Sequence, residues 1–193
     1  LDFLMKIHII DNYDSFTYNL VHLIEDIGVD YILSRNDDID FDELRKASHL
    51  LIGPGPGLPE DSGDLLKAIE ISNTHNISVL GVCLGMQALL ISSGCEMTNL
   101  HNVQHGAEEE IEVKNIGILY EGLPQSIKVG RYHSWGFDAK SIGADWTITS
   151  LAKDGFVMSI ENQDWRHFGV QFHPESIMTT GGKRIMENWL RAE

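Results

Sequence analysis

The sequence predicts an α/β protein with a mainly parallel sheet, helices on both faces, and an additional antiparallel β-meander. Three observations carry this. Short apolar runs alternate with helical stretches through the first half of the chain. Glycines and prolines punctuate them at strand and helix ends. In the second half, short strand-like segments follow one another with turn residues between them and no helix intervening.

The elements follow in order. Ile7 to Ile10 is an apolar run that reads as a buried strand. Asp11 to Asp14 form a loop, Asp14 or Ser15 caps a helix to about Ile27, and Gly28 stops it. "YILS" is a second strand, "FDELRKA" a short helix and "HLLIG" a third strand. The Gly53-Pro54-Gly55-Pro56-Gly57-Leu58-Pro59 stretch is a loop that no helix could include. A helix over about Asp64 to Ser72, the strand "SVLGV" and the helix "MQALLISSG" complete the alternating half. "TITSLA", "FVMSIE" and "HFGVQFH" form the meander, with Asp154-Gly155 as its clearest turn signal. A final amphipathic helix starts near Gly182, with Ile185 and Trp189, and Met186 and Leu190, each four apart on one face.

A length of 193 residues suits one domain, read as residues 5–193, with Leu1 to Leu4 an extension or leftover before Met5. The chain is 42% hydrophobic and 22% charged, as expected of a globular protein with a sizeable core. A net charge of -15 argues against nucleic acid and anionic membrane as partners, since both would repel it. The acidic clusters, Glu108 to Glu110 among them, read as solvated surface. No secretory signal is visible and no apolar run approaches the ~20 residues of a membrane span. The cytoplasm is therefore the expected compartment, with Cys83 and Cys95 as free thiols.

The stretch "GVCLGMQ" places Cys83 between Gly81 and Gly85 where a strand meets a helix. Gly-x-nucleophile-x-Gly is the pattern of a nucleophile elbow. The glycines remove Cβ atoms from a tight turn, and the following helix aims its amides at the sulfur, which favours thiolate. The Leu84 amide is placed to receive an oxyanion. The alternative is a structural thiol between two glycines. A cysteine nucleophile needs a base and an orienting group. Pro174 biases His173 toward extended backbone, where residues i and i+2 share a side, so His173 and Glu175 emerge together at the end of the last meander strand. That suits a Cys-His-acid triad, against the alternative of a surface histidine beside a proline. "GPGPG" permits close approach of backbone to ligand, with Gly55 as the second oxyanion donor; phosphate binding or a plain turn are the alternatives. His101 and His105 lie four apart but lack a third ligand, so no metal site is assigned. His133 is either a neighbour of the pocket or structural.

In combination, "DNYDSFTYNL", "GPGPGLPED", "GVCLGMQ", "RYHSW" and "GVQFHPES" make the chain resemble the class I (triad-type) glutamine amidotransferases from Met5 onward. The resemblance is greatest to the glutaminase subunits of chorismate-using synthases. It implies a flavodoxin-like three-layer sandwich, hydrolysis of L-glutamine to glutamate and ammonia, and a catalytic set of Cys83, His173 and Glu175. It further implies that Gly55, Pro56, Gly57, Leu84, Gln87, Ser134 and Trp135 bind glutamine and its oxyanion. The implied partner is a synthase large subunit, anthranilate synthase component I (tryptophan biosynthesis) or alternatively aminodeoxychorismate synthase component I (folate biosynthesis). No cofactor is implied for this chain, and any Mg would belong to the synthase.

Three departures from the family pattern stand out. Met86 replaces a histidine, Trp135 replaces a leucine, and "QHGAEEEI" loses a positive charge and gains three negative ones near the family's partner contact. Two competing readings are a superfamily hydrolase acting on another amide, and a non-catalytic binding module for which Cys83 would be dispensable.

Overall fold

Side chains that alternate along a strand are sorted to two faces of a sheet, and here each face carries its own core. The computed structural model describes residues 5–100, 106–114 and 117–192. In chain order the first half contains β1 (Lys6–Asp11), α1 (Thr17–Ile27), β2 (Asp30–Arg35), α2 (Phe41–Leu44) and β3 (His49–Ile52). It continues with α3 (Leu65–Thr74), β4 (Ser78–Val82) and α4 (Leu84–Ser92). The second half contains β5 (Thr98–Asn99), β6 (Ala107–Val113), β7 (Ser126–Arg131), β8 (Trp135–Gly136) and β9 (Thr147–Leu151). β10 (Val157–Asn162), β11 (His167–Val170) and α5 (Gly182–Leu190) complete it.

Nine strands form one sheet in the order β2-β1-β3-β4-β11-β10-β9-β6-β7. β2, β1, β3, β4 and β11 run parallel to one another. β10 turns back against β11, and β9, β6 and β7 continue antiparallel. On one face Ile7, Ile9, Leu51, Leu80 and Val82 pack with Leu20, Val21 and Ile24 of α1 and with Ile185, Met186 and Trp189 of α5. On the other, Ile10, Leu50, Ile52 and Val79 pack with residues of α3 and α4. The mainly parallel sheet with helices on both faces and the antiparallel extension agree with the expected class.

Three differences from the sequence reading have local causes. The meander has two further strands, β6 and β7. In β6 the polar face dominates and only Ile111 and Val113 are buried, so its apolar signal is short. Helix α1 begins at Thr17, later than a cap at Asp14 or Ser15 would place it. Asp14 Oδ1 accepts from the Phe16 amide at 2.8 Å and Asp11 Oδ1 from the Thr17 hydroxyl at 2.9 Å, so the carboxylates order the turn before the helix. Helix α2 ends at Leu44 and leaves Arg45 to Ala47 in turns.

Helix α5 anchors the sheet from below the site. Trp189 is fully buried, its Nε1–H donates to Ser78 Oγ at 3.1 Å, and its ring meets His49 edge-on. Trp189→Ala is expected to lower unfolding stability by about 3–5 kcal/mol, since it empties a core site and removes the donor to the Ser78 hydroxyl. Urea unfolding measures this; a loss below about 1 kcal/mol would show that α5 is not a keystone of the core.

Candidate active site

β4 delivers Cys83 into a backbone conformation that side chains rarely adopt, with φ 54° and ψ -102°. The turn is possible because its flanks lack side chains. A Cβ at Gly81 would lie 2.4 Å from the Gly85 carbonyl carbon, and one at Gly85 would lie 2.4 Å from the Ile52 carbonyl oxygen. Cys83 then occupies the N-terminus of α4, where the first amides of the helix have no partner within it. α4 is apolar all round and buried from Leu84 to Leu90, which holds the turn against the sheet.

β11 brings the second component. It lies beside β4 with Val170 opposite Val82, so the segment after it runs past the sulfur. The chain does not stay extended as the spacing suggested: the Ser176 amide donates to the His173 carbonyl at 3.2 Å, closing a turn that sets His173 Nδ1 and Glu175 Oε1 2.6 Å apart. Nε2 is buried with no hydrogen-bond partner among the described residues. Burial opposes charge on the ring, but the neighbouring Cys83 and Glu175 prevail and raise the His173 pKa to about 10. Phe16 and Tyr132 cover the imidazole, with ring centroids 5.1 and 4.9 Å away. The structure thus brings Cys83, His173 and Glu175 together.

The Gly-Pro loop forms the opposite wall. A Cβ at Gly55 would fall 2.5 Å from Asn12 Cβ and 2.6 Å from Leu84 Cδ2, so the loop is pressed onto both. Asn12 is buried and fixes the loop's start by donating to the Gly53 carbonyl at 2.8 Å, while Asn36 donates to Asn12 Oδ1 at 3.1 Å. Between loop and sulfur lies a cleft of about 160 Å³. Gly55, Pro56, Gly57, Gln87, Ser134 and Trp135 line it with Cys83, and Tyr132 and His133 complete it. Leu84 sits buried at the first position of α4. Asn12 was absent from the sequence-derived site; a buried amide directly after a core strand is the signal that would have found it.

A family model for glutamine amidotransferase class-I matches residues 8–192. The chain belongs to the class-I glutamine amidotransferases. It is 39% identical over 183 residues to the aminodeoxychorismate/anthranilate synthase component 2 of Bacillus subtilis, covering 94% of this chain and 93% of that protein. It is 37% identical over 190 residues to anthranilate synthase component 2 of Mycobacterium tuberculosis, covering 96% and 82%. A glutamine amidotransferase structure from Thermotoga maritima shares the fold at TM-score 0.77 and 16% identity, over 98% of this chain and 82% of that one.

The structure gives the three departures from the family pattern their settings. Met86 is buried in the second core, against Gly169, and does not line the cleft. Trp135 acts through its backbone: its carbonyl accepts from Gln87 Nε2 at 3.1 Å and from His133 Nδ1 at 2.8 Å. Of the three consecutive glutamates at positions 108 to 110 of β6, Glu108 and Glu110 are exposed and contact Lys128 and Ser126. Glu109 corrects the surface reading. It turns inward to pair with the fully buried Arg131, which also meets Asp154 at 3.3 Å and donates to His133 Nε2 at 3.2 Å. His101 and His105 lie outside the described residues.

Burial and Arg131 lower the His133 pKa to about 4; burial lowers those of His49 and His167 to about 4. Their folded forms stay neutral where the unfolded chain binds protons from an ordinary pKa of 6.5 downward. Stability from these three is complete above pH 6.5 and is lost as pH falls toward 4. His173 acts oppositely: its contribution is complete below pH 6.5 and is lost as pH rises through about 10. Urea midpoints are therefore expected to fall on both sides of neutrality. A profile flat between pH 6.5 and 5.5 would contradict the burial of neutral histidines.

Proposed function

We propose that this chain is the glutaminase subunit of a chorismate-using synthase, anthranilate synthase in the first instance, and that Cys83, His173 and Glu175 carry its chemistry. The supporting observation is the imidazole held between the Glu175 carboxylate and the sulfur of a strained helix-capping cysteine. The thiolate attacks the side-chain carbonyl carbon of glutamine, and the carbonyl π electrons move to oxygen. Amides of Gly55 and Leu84 receive that oxyanion. The tetrahedral adduct collapses, the C–N bond breaks, and the His173 imidazolium gives its proton to the nitrogen, releasing ammonia. His173 then takes a proton from water as it attacks the γ-glutamyl thioester, and glutamate leaves with the sulfur restored as thiolate.

Glu175 keeps the Nδ1 proton in place and stabilises the charged ring without itself transferring a proton. Gln87 is bound to the Trp135 carbonyl through Nε2, which leaves Oε1 to accept from the substrate's ammonium group. Pro56, Gly57 and Ser134 complete the recognition of the amino-acid end. The chemistry needs no metal or organic cofactor in this chain. Ammonia passes unprotonated to the synthase, where it adds to chorismate.

The name of the Mycobacterium relative supports anthranilate synthase component I as partner. The double name of the Bacillus relative favours a second reading, in which aminodeoxychorismate synthase component I is served as well. Glutaminase activity is expected to be weak alone and stimulated by the partner; failure of both synthases to copurify or stimulate would overturn the assignment. Cys83→Ser is expected to lower glutamine-dependent synthesis about a thousandfold or more while ammonia-dependent synthesis by the partner persists. Glu175→Gln should lower kcat about a hundredfold or more through loss of the oriented imidazole. Retained glutamine use in Cys83→Ser would exclude the nucleophile.

A further inference from the structure

Gln171 is fully buried and its carboxamide touches the sulfur of Cys83. Its Nε2 lies 3.6 Å from Sγ, and its Oε1 lies 3.2 Å from Gln87 Nε2. A carboxamide fits its density of contacts in two orientations, so the donor must be assigned from its partners. Here the partners leave no freedom. Arg131 can only donate, so His133 Nε2, 3.2 Å from Arg131 Nε, is an acceptor. The proton of the neutral ring is then on Nδ1, which donates to the Trp135 carbonyl at 2.8 Å. That carbonyl can only accept, so the Gln87 atom 3.1 Å from it is Nε2. The second proton of Gln87 Nε2 goes to Gln171, which must offer Oε1 to Gln87 and turn Nε2 toward sulfur.

We propose that Gln171 is a further member of the catalytic set, donating a hydrogen bond to the Cys83 thiolate, and that the Trp135 carbonyl, acting through Gln87, fixes the direction of that donor. A donor aimed at sulfur favours the charged form over the thiol and holds Sγ in one position. Gln171, His173 and Glu175 all come from the short segment that follows β11 and bends into a turn at His173–Ser176. One stretch of chain therefore supplies the hydrogen-bond donor, the imidazole and its carboxylate. Gln87 gains a second task beyond lining the cleft, since its orientation decides which end of Gln171 faces the nucleophile.

The proposal rests on the glutaminase reading only for its effect on turnover, so its test separates the two. The full chain is alkylated with iodoacetamide across pH, and modification is read on the Cys83 peptide to exclude Cys95. Gln171→Met keeps the length of the side chain and removes the donor, and is the deciding variant. It is expected to raise the alkylation midpoint by about one pH unit, which slows modification roughly tenfold below it, and to lower kcat with little change in KM. Gln171→Glu, which places an acceptor and a charge beside the sulfur, should raise the midpoint further. His173 and Glu175 from the segment after β11, and Tyr132 and His133 after β7, are the titratable groups around the sulfur. Arg131, Glu109 and Asp154 stand behind His133. All are retained in both variants, so a shift reports the lost donor. An unchanged midpoint and kcat in Gln171→Met would overturn the proposal. A shifted midpoint in a protein that hydrolyses no glutamine, with or without its partner, would instead sustain the proposal and refute the glutaminase reading.

Discussion

Cys83 can hold its left-handed backbone only because β3, β4 and α4 meet there main chain to main chain. The Gly81 and Gly85 positions each lie within 2.4 Å, measured from a notional Cβ, of a neighbouring backbone atom. This contact does more than permit a turn. It sets how far the first amides of α4 stand from the sulfur, and it presses Leu84 against Gly55, so the helix terminus and the Gly-Pro loop are located by the same packing. Strain of this kind costs of the order of 1–3 kcal/mol. Burial of α4, whose residues from Leu84 to Leu90 are all inaccessible, is the compensating term closest to hand.

The second constraint is the place of β11 in the sheet. A strand that returns from an antiparallel meander nonetheless runs parallel to β4 and directly beside it. A sequence separation of ninety residues thereby becomes a distance between neighbouring strands. The pairing of Val170 with Val82 also decides which side chains of the following segment face the sulfur. A slip of one residue would reverse the faces of β11 and carry the segment that follows it out of place. Register is secured by the burial of His167 to Val170 on both faces and by the amide of Cys83, which donates to the Val170 carbonyl at 2.8 Å.

The elements up to α4 were legible because their apolar residues follow the periods of buried strands and amphipathic or buried helices, and glycine marks their ends. Cys83 was legible through its two flanking glycines, and His173 and Glu175 through their spacing, although a turn and not extended chain brings the last two together. The same spacing pointed at Gln171, two residues before His173, but a glutamine carries no chemical signal until its neighbours in space are known. β6 was obscured by its own composition, since a strand with one acidic face looks like solvated loop. Glu109 on that strand was misread for the same reason. Its partner Arg131 lies 22 residues away and Asp154 a further 23, and no local pattern links the three.

Arg131 also shows why a polar group can be placed deep beside a reaction cleft. Burying a guanidinium is costly unless it is paired, and replacing such a cluster with apolar side chains is often neutral or stabilising. Its retention is better explained by direction than by stability. Glu109 and Asp154 neutralise the charge, and the remaining Nε–H is spent on His133. A donor that cannot reverse then imposes one tautomer on the histidine, while the Trp135 carbonyl, which can only accept, imposes one orientation on Gln87. Without that anchor, the imidazole could present either nitrogen to the Trp135 carbonyl. The charge and the carbonyl together turn a set of reversible side chains into a site with a single hydrogen-bonding polarity, which is what recognition of an amino-acid substrate and control of a thiolate both require.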